Sequence, residues 1–573
     1  MRVALLSTRR VSKKYLIMNT RLKVGLIVDD ETLNKYDHDL AQWAQSSGLL
    51  QISHLIVQKK TESKNNRAIW ERLRGRSPKS VVLGLLSKVL WHFKEWLETR
   101  ELAANEYLRD ADCKVAVGDV VPGRIFISPQ ISQSGFVHRF SKGDLNKIRV
   151  ENFDLLIRCG SGILRGDVLR CARLGILSFH HGDNRVNRGG PAGFWEVYHR
   201  WPKTGFIIQR LTEELDGGDV IFRGFVSTDR SHLLNRALVR RKSYFHLQRI
   251  LIQIAKTGQL PAIELAVPYS GRLYVNPGIH HVANYILTRI LRSMVGRIRG
   301  ALGFRERWGV SYVNGNWVTA ALWRGKTLEA PDGAFLADPF VVEREGRTCI
   351  FVEEYVYRDE RAYISVFEIG DDGAARVGVV LNENFHLSFP YIFEYQNTLY
   401  MCPESSARRQ IRIYRCLEFP LHWELASVAM ENVSAADSMI FEHDGKWWLF
   451  TNLCGSQPIE HGSELHIFSA QDPLSGVWVP HTRNPVIVDP EGGRNGGILS
   501  LGRDMVRVAQ IQGFGSYGRS ARLMRVTQLT DTEYCEMPLA DVVPTFSRRI
   551  LGTHHMHSNG SHTVWDFKRW EHI

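Results

Sequence analysis

Ser178-Phe179-His180-His181-Gly182 stands where a short apolar run gives way to polar residues, and Arg188-Gly189-Gly190 follows. Further along, Lys203-Thr204-Gly205 opens the apolar stretch GFIIQRL, and EELDGGDVIF places Asp216 at a tight glycine turn before another strand-like run. An imidazole at one strand end and a carboxylate at a later turn can meet across adjacent strands. The acid then orients the ring and stabilises its charged form, as proton transfer during attack on a carbonyl requires. Spacing alone also admits purely structural roles for His180 and Asp216 in a chain with 22 histidines.

These residues need elements to hold them. KVGLIVDD (23–30) reads as a buried strand ending in acids, a helical pattern follows at 40–47, and LQISHLIVQ reads as the next strand. Residues 59–110 read as a basic, helix-rich insertion. FDLLIRCG (153–160) is a third strand, GDVLRCARLG a short helix closed by glycine, and GILSF the strand that delivers Ser178 and His180. Strands alternating with helices predict an open α/β sheet of Rossmann type. Ligands of such sheets gather at the C-terminal strand ends, where Ser178 to Gly190 falls.

The pattern changes after about residue 275. Over residues 281–304, Val282, Ile286, Ile290, Met294, Ile298 and Leu302 fall near one helical face, decorated by Arg289, Arg292, Arg297 and Arg299. Packing between domains and peripheral contact with a membrane surface both suit such a helix. From about 305 the chain is strand-rich and repeats itself. PFVVEREGRTCIF starts at Pro339, PYIFEYQNTLYMC at Pro390 and SMIFEHDGKWWLF at Ser438, offsets of 51 and 48 residues, with a looser copy near Asn495. Each copy is strand, turn, strand. A period of roughly fifty residues predicts an all-β five-bladed β-propeller of four-stranded blades, with HTVWDF near the C-terminus closing the ring against an early strand. A β-sandwich is the alternative, but it does not predict the repeat. Trp447 and Trp448 alternate within one strand, so at most one faces a pocket. The expected divisions are an extension at 1–21 (or a misplaced start, since Met18 precedes the first strand), the α/β domain at 22–275, a basic linker helix at 276–306 and the propeller at 307–573.

Composition narrows the classes. The 573 residues imply more than one domain, and 44% hydrophobic with 23% charged residues fits a folded chain. The net charge of +13 is partly local, in a run over 59–79 and another over 289–307. Such runs suit solvated faces, phosphates or anionic lipid. The eight cysteines include no CxxC pair, so no zinc, redox or disulfide framework is indicated and no metal is expected. Reduced cysteines suit a cytoplasmic protein, at most peripheral to the inner face of the membrane. No apolar run approaches the ~20 residues that span a bilayer. There is no P-loop and no helical nucleic-acid reader, so no nucleic-acid partner is expected. The oligomeric state is not legible.

The stretch 155–224 resembles the formyltransferase family, on Ser178-Phe179-His180-His181-Gly182, Arg188-Gly189, Thr204-Gly205 and LDGGD, with His180 and Asp216 separated by 36 residues. The resemblance covers roughly 22–260. It implies transfer of a formyl group from 10-formyltetrahydrofolate to an amine, with His180, Asp216 and Ser178 catalytic. It also implies that Ile163, Leu164, Gly189 and Asp219 hold the donor. Ser178 stands where the family has asparagine, a donor to the developing oxyanion, and removing one such donor costs about 3–4 kcal/mol of barrier. His181 and Asn184 are the neighbours that could substitute for it.

The stretch 310–570 is similar to the propeller at the N-terminus of plant glucosamine inositolphosphorylceramide transferases and, more distantly, to five-bladed glycoside hydrolases. FLADPFVV, HLSFPYIF, YMCPES, AADSMIF and GGRNGGIL carry it. That resemblance turns Asp338, Glu404 and Asp437 inward, with His386 and Arg494 beside them. Capping of strands and turns, glycan binding, and glycosidic chemistry by paired carboxyls are the alternatives for this group. Together the halves imply N-formylation of an amino sugar or glycan precursor held by the propeller. A glycan-binding or glycoside-processing propeller protein with a non-catalytic formyltransferase-like domain is the rival.

Overall fold

The computed structural model describes residues 21–59, 78–133, 135–214, 217–454 and 460–572. The first half is built on a seven-stranded sheet. Its strands are β1 (Leu22–Val28), β2 (Leu50–Gln58), β3 (Gly123–Ile127), β4 (Leu155–Arg158), β5 (Ile176–His180), β6 (Lys203–Arg210) and β7 (Asp219–Ser227), in the order β7-β6-β5-β4-β1-β2-β3. Strands β3 to β5 along that order run parallel, while β6 and β7 pair antiparallel. β1 and β4 are almost wholly buried, which is why they read as continuous apolar runs rather than alternations.

Five helices of eight or more residues dress the sheet, beside a short one at Phe194–His199: α1 (Lys35–Ser47), α2 (Pro78–Ala104), α3 (Lys142–Arg149), α4 (His232–Thr257) and α5 (Ile279–Ala301). Asn34 caps α1 by accepting from the Asp37 amide, and Gly48, at φ 67°, ends it. Leu247, Ile250, Leu251 and Ile254 of α4 join Leu26, Leu155 and Leu177 in one core. The helix expected over GDVLRCARLG is a single 3-10 turn at Asp167–Arg170, because Gly166 and Gly175, at φ 84° each, break the chain on both sides. Of the basic run at 59–79, residues 60–77 lie outside the described residues, and α2 follows directly.

The second half consists of five antiparallel sheets. Three repeat copies form the hairpins Ala334–Arg344/Arg347–Val356, Ser388–Tyr395/Thr398–Glu404 and Ser434–His443/Lys446–Cys454, and the looser copy forms Asn495–Leu501/Asp504–Gly513. The fifth sheet joins Phe304–Asn314 to His562–His572 across the whole half. The leading strands touch in succession: 304–314, 334–344, 388–395, 434–443 and 495–501. The last then meets Met556–Ser558 of the sheet that began the series. Trp447 and Trp448 are both buried, and Trp447 packs on Phe393 and Tyr395.

The halves are pinned by charge. Lys242 of α4 bonds Glu464 and lies 3.5 Å from Glu460, with His246 Nε2 3.4 Å from Glu464. Lys203, at the head of β6, bonds Asp489 at 2.7 Å and Glu491 at 2.9 Å.

Candidate functional sites

Ser178 and His180 lie two residues apart on β5 and therefore share a face. His180 Nε2 donates to the Asn187 carbonyl at 2.9 Å, so Nε2 carries a hydrogen. Asn187 Nδ2 in turn donates to Glu196 at 2.8 Å, and burial raises the Glu196 carboxyl above its ordinary pKa. Ser178 Oγ accepts from Arg158 Nη1 at 3.3 Å, so a guanidinium stands beside the serine that replaces the family asparagine. Sequence reasoning missed Arg158, which reads as one more residue at the end of FDLLIR.

Asp216 lies outside the described residues. His181 faces the other side of the sheet: its ring stacks on Phe179, its Nε2 meets Ser243 of α4 at 3.1 Å, and burial depresses its pKa to about 3. It cannot substitute for an oxyanion donor beside His180, because alternation sends it to the opposite face. Asn184 has its side-chain carbonyl bonded by Arg223 at 3.0 Å.

The four residues assigned to the donor are each engaged within the fold. Leu164 is buried in the core with Ile148 and Leu156. Ile163 donates its amide to the Phe136 carbonyl at 2.7 Å. Gly189, at φ 118°, pairs with Tyr274, whose carbonyl oxygen would lie 2.0 Å from any added Cβ. Asp219 is bonded by Arg210 at 2.9 Å, on the strand register of Leu177, three residues back from His180. A cavity of about 920 Å³ lies at that rear rim, lined by Asp154, Arg170, Gly175, Arg210 and Asp219. A smaller one, about 250 Å³, adjoins Asn187, Glu196, Lys203 and Glu491, where the halves meet.

The carboxylates of the second half are placed by a repeated backbone device. The leading strands of four sheets carry a two-residue irregularity: between Ala337 and Phe340, Ser388 and Tyr391, Ala436 and Met439, and Asn495 and Ile498. The first inserted residue is Asp338, Phe389 or Asp437 in three of them, at φ 48°, 47° and 46°. Bulges re-aim side chains, and non-glycine residues at positive φ cost roughly 1–3 kcal/mol each, so the surrounding structure must hold them.

Around Asp437 the groups converge. Arg494 Nε donates to Asp437 at 2.5 Å and Nη2 at 3.3 Å, while Glu404 lies 3.8 Å from the same guanidinium. Gln510 adds a bond to Asp437 at 3.1 Å, and Tyr517 lies under the guanidinium at 5.0 Å. Burial raises the Asp437 carboxyl, with Arg494 opposing it. Burial would lower Arg494, but Asp437, Tyr517 and Glu404 outweigh it and hold the guanidinium above its usual range. Asp338 is driven well above the ordinary carboxylate range by burial and then by Glu353, Asp437 and Asp566. Both carboxyls are therefore raised by burial, and they differ in that Asp338 lies among acids while Asp437 is bonded by arginine. His386 lies 3.3 Å from Glu353, and Glu353 with Glu404 outweighs burial and raises its pKa.

Besides Gln510 and Tyr517, the structure adds His554 and Asp566, which the sequence reading lacked. His554 Nδ1 lies 2.5 Å from Asp566 and its Nε2 3.7 Å from Asp338, and its ring stacks on Trp308. These three ligand-type side chains lie within 4.8 Å of one another, a set that could hold a metal ion although no metal was expected. They are 216 and 12 residues apart in sequence, so no spacing rule links them.

The family comparison falls on this half. Residues 317–559 match the family described as glucosamine inositolphosphorylceramide transferase 1, N-terminal. Over 209 residues the chain is 34% identical to glucosamine inositolphosphorylceramide transferase 1 of Oryza sativa subsp. japonica, covering 36% of this chain and 28% of the relative. Against the Arabidopsis thaliana protein of that name it is 34% identical over 208 residues, covering 35% and 27%. The chain thus spans little more than a quarter of the length of these relatives. Among solved structures, Zg3597, a family 117 glycoside hydrolase of the marine bacterium Zobellia galactanivorans, aligns at 12% identity over 46% of this chain and 90% of its own, TM-score 0.31. Glycinamide ribonucleotide transformylase 1 from Symbiobacterium toebii aligns at 13% identity over 45% and 95%, TM-score 0.26. Both scores are too low to establish a shared fold.

Proposed function

We propose that the protein is a carbohydrate-directed transferase whose second half, a five-bladed propeller, holds a saccharide over Asp338, Glu404, Asp437 and Arg494. The observation that carries this reading is the pair of equivalent bulges that hold Asp338 and Asp437 at positive φ, with Arg494 clamped on the second. A bidentate cation beside carboxyls of differing proton affinity suits hydroxyl and phosphate groups of a sugar. The names of the relatives make a sugar carried on an inositol phosphate the first ligand class to test. Titration calorimetry with glucosamine and inositol-phosphate glycosides should give binding that Asp437→Asn and Arg494→Met each weaken at least tenfold, about 1.4 kcal/mol. Unchanged affinity in both variants sinks the reading.

A second reading concerns His180. The shared face of Ser178 and His180, with Arg158 beside the serine, suits attack on a carbonyl whose oxygen gains charge. The group transferred would be formyl, the donor 10-formyltetrahydrofolate, the acceptor an amino-sugar nitrogen, and the place cytoplasmic. Leu164, Gly189 and Asp219 are committed to core, pairing and Arg210, so their side chains do not form a donor cradle. Fluorescence titration with 10-formyltetrahydrofolate separates the two readings: no binding removes formyl transfer and leaves the saccharide site standing.

A further inference from the structure

Two neighbouring helices carry apolar stripes that nothing in the described structure covers. On α2, Val82, Leu85, Leu86, Val89, Phe93 and Trp96 are 45–65% exposed, and their spacing puts them on one helical face. From Trp91 onward the opposite face of α2 is engaged: Trp91 packs on Phe194, and Lys94 and Glu98 are buried, bonded to each other at 2.9 Å and to His232. Tyr285 of α5 bonds the same Glu98. On α5, Val282, Tyr285 and Ile286 are the buried side chains, while Leu287, Leu291, Met294 and Ile298 are 51–55% exposed on the far side. The expectation of a helix buried between domains therefore fails for most of α5. Its apolar packing is confined to its first two turns, Arg289 bonds Glu101 and Arg292 and Arg299 lie over the Phe514 and Trp570 rings further along, and α2 packs beside it.

Charge says what could cover these stripes. α5 contains no acidic residue, and Arg297 and Arg299 are exposed along it. On α2, Lys88 and Arg100 are exposed, and Arg100 lies 4.7 Å over the Trp96 ring, which stacks with Phe93 at 5.9 Å. Exposed aromatics, aliphatic stripes and flanking cations are the composition of helices that lie in the headgroup layer. At 1.5 Å per residue the stripes run about 21 Å and 17 Å, long enough to lie along a surface. No described helix is long and apolar enough to cross a membrane. We propose that α2 and α5 together form a surface that docks the protein onto an anionic lipid bilayer. This rests on the helices alone and not on either reading of the reaction.

Cosedimentation of the full chain with phosphatidylcholine vesicles, with and without phosphatidylglycerol, tests it. The chain should sediment with the anionic vesicles, less so at high salt, and little with phosphatidylcholine alone. Lys88→Gln and Arg297→Gln should each weaken binding about fivefold. A variant carrying Val89→Gln, Trp96→Gln, Leu291→Gln and Met294→Gln should lose more than tenfold with an unchanged melting temperature, since all four side chains are exposed. Failure of the native chain to sediment, or equal sedimentation of that variant, overturns the proposal. Native dimers by light scattering that the same variant dissolves would instead assign the stripes to a second copy of the chain.

Discussion

Asp338 and Asp437 occupy equivalent bulges but are held differently, and substitutions should separate them. Asp437 is clamped by Arg494 and Gln510. Asp437→Gly leaves the buried guanidinium with only Glu404, 3.8 Å away, as an acid partner among the described residues and should cost about 3 kcal/mol in urea unfolding. Asp338 has no such cation within bonding distance, lies among acids and pays backbone strain. Asp338→Gly should melt no lower than the native chain while losing saccharide binding, the usual trade at a strained site. His181 gives a pH prediction. Its folded pKa, about 3, lies below the ordinary 6.5, so between these values the unfolded chain binds more protons. Stability is then complete above about pH 6.5 and falls as pH drops below it, by up to about 1.4 kcal/mol per unit for this group. Thermal melts at pH 7 and pH 5 should show the loss, and His181→Phe should reduce it.

At the scale of elements, strand alternation and strand pairing decide which side chains meet. β5 sends Ser178 and His180 to one face and Phe179 and His181 to the other, where α4 covers them. The strand and its apolar character are legible in GILSF, but Arg158 reaches Ser178 only because β4 and β5 are neighbours in parallel. α4 also carries Lys242 into Glu464, a pair buried on both sides. Glu464 keeps its charge because Lys242 and His246 outweigh its burial and hold its pKa well below the usual range. Lys242→Met strands that carboxylate and should lower stability by about 3–5 kcal/mol, while adding Glu464→Leu should restore most of it. A double-mutant cycle read by chemical denaturation checks the pair.

Over the whole molecule, one loop touches both candidate sites. Asp489 and Glu491 bond Lys203 at the head of β6, and Arg494, three residues on, holds Asp437. Glu491 also lines the small cavity beside Asn187 and Glu196. A change at one site therefore has a short covalent route to the other. If the second half binds a saccharide as proposed, Lys203→Gln, which removes two partly buried ion pairs, should weaken that binding by up to about fivefold without touching the sugar. Calorimetry on this variant against Arg494→Met compares an indirect loss with a direct one.

By itself the sequence determined the local periodicities: the apolar runs of the parallel strands, the helical stripes and the near-fifty-residue repeat, because burial pattern and turn chemistry are written within a few residues of each other. It also marked Asp338, Glu404 and Asp437, through the resemblance of the stretches that carry them to a propeller family. Only the tertiary structure decided which distant groups share a site. His554 and Asp566 meet Asp338 because the last strand pairs with the first of its half. Arg158 meets Ser178 through sheet order, and the stripe of α2 stays bare because its other face buries Lys94 and Glu98. Such contacts depend on long-range register and packing, to which residues hundreds of positions apart contribute and which no local pattern records.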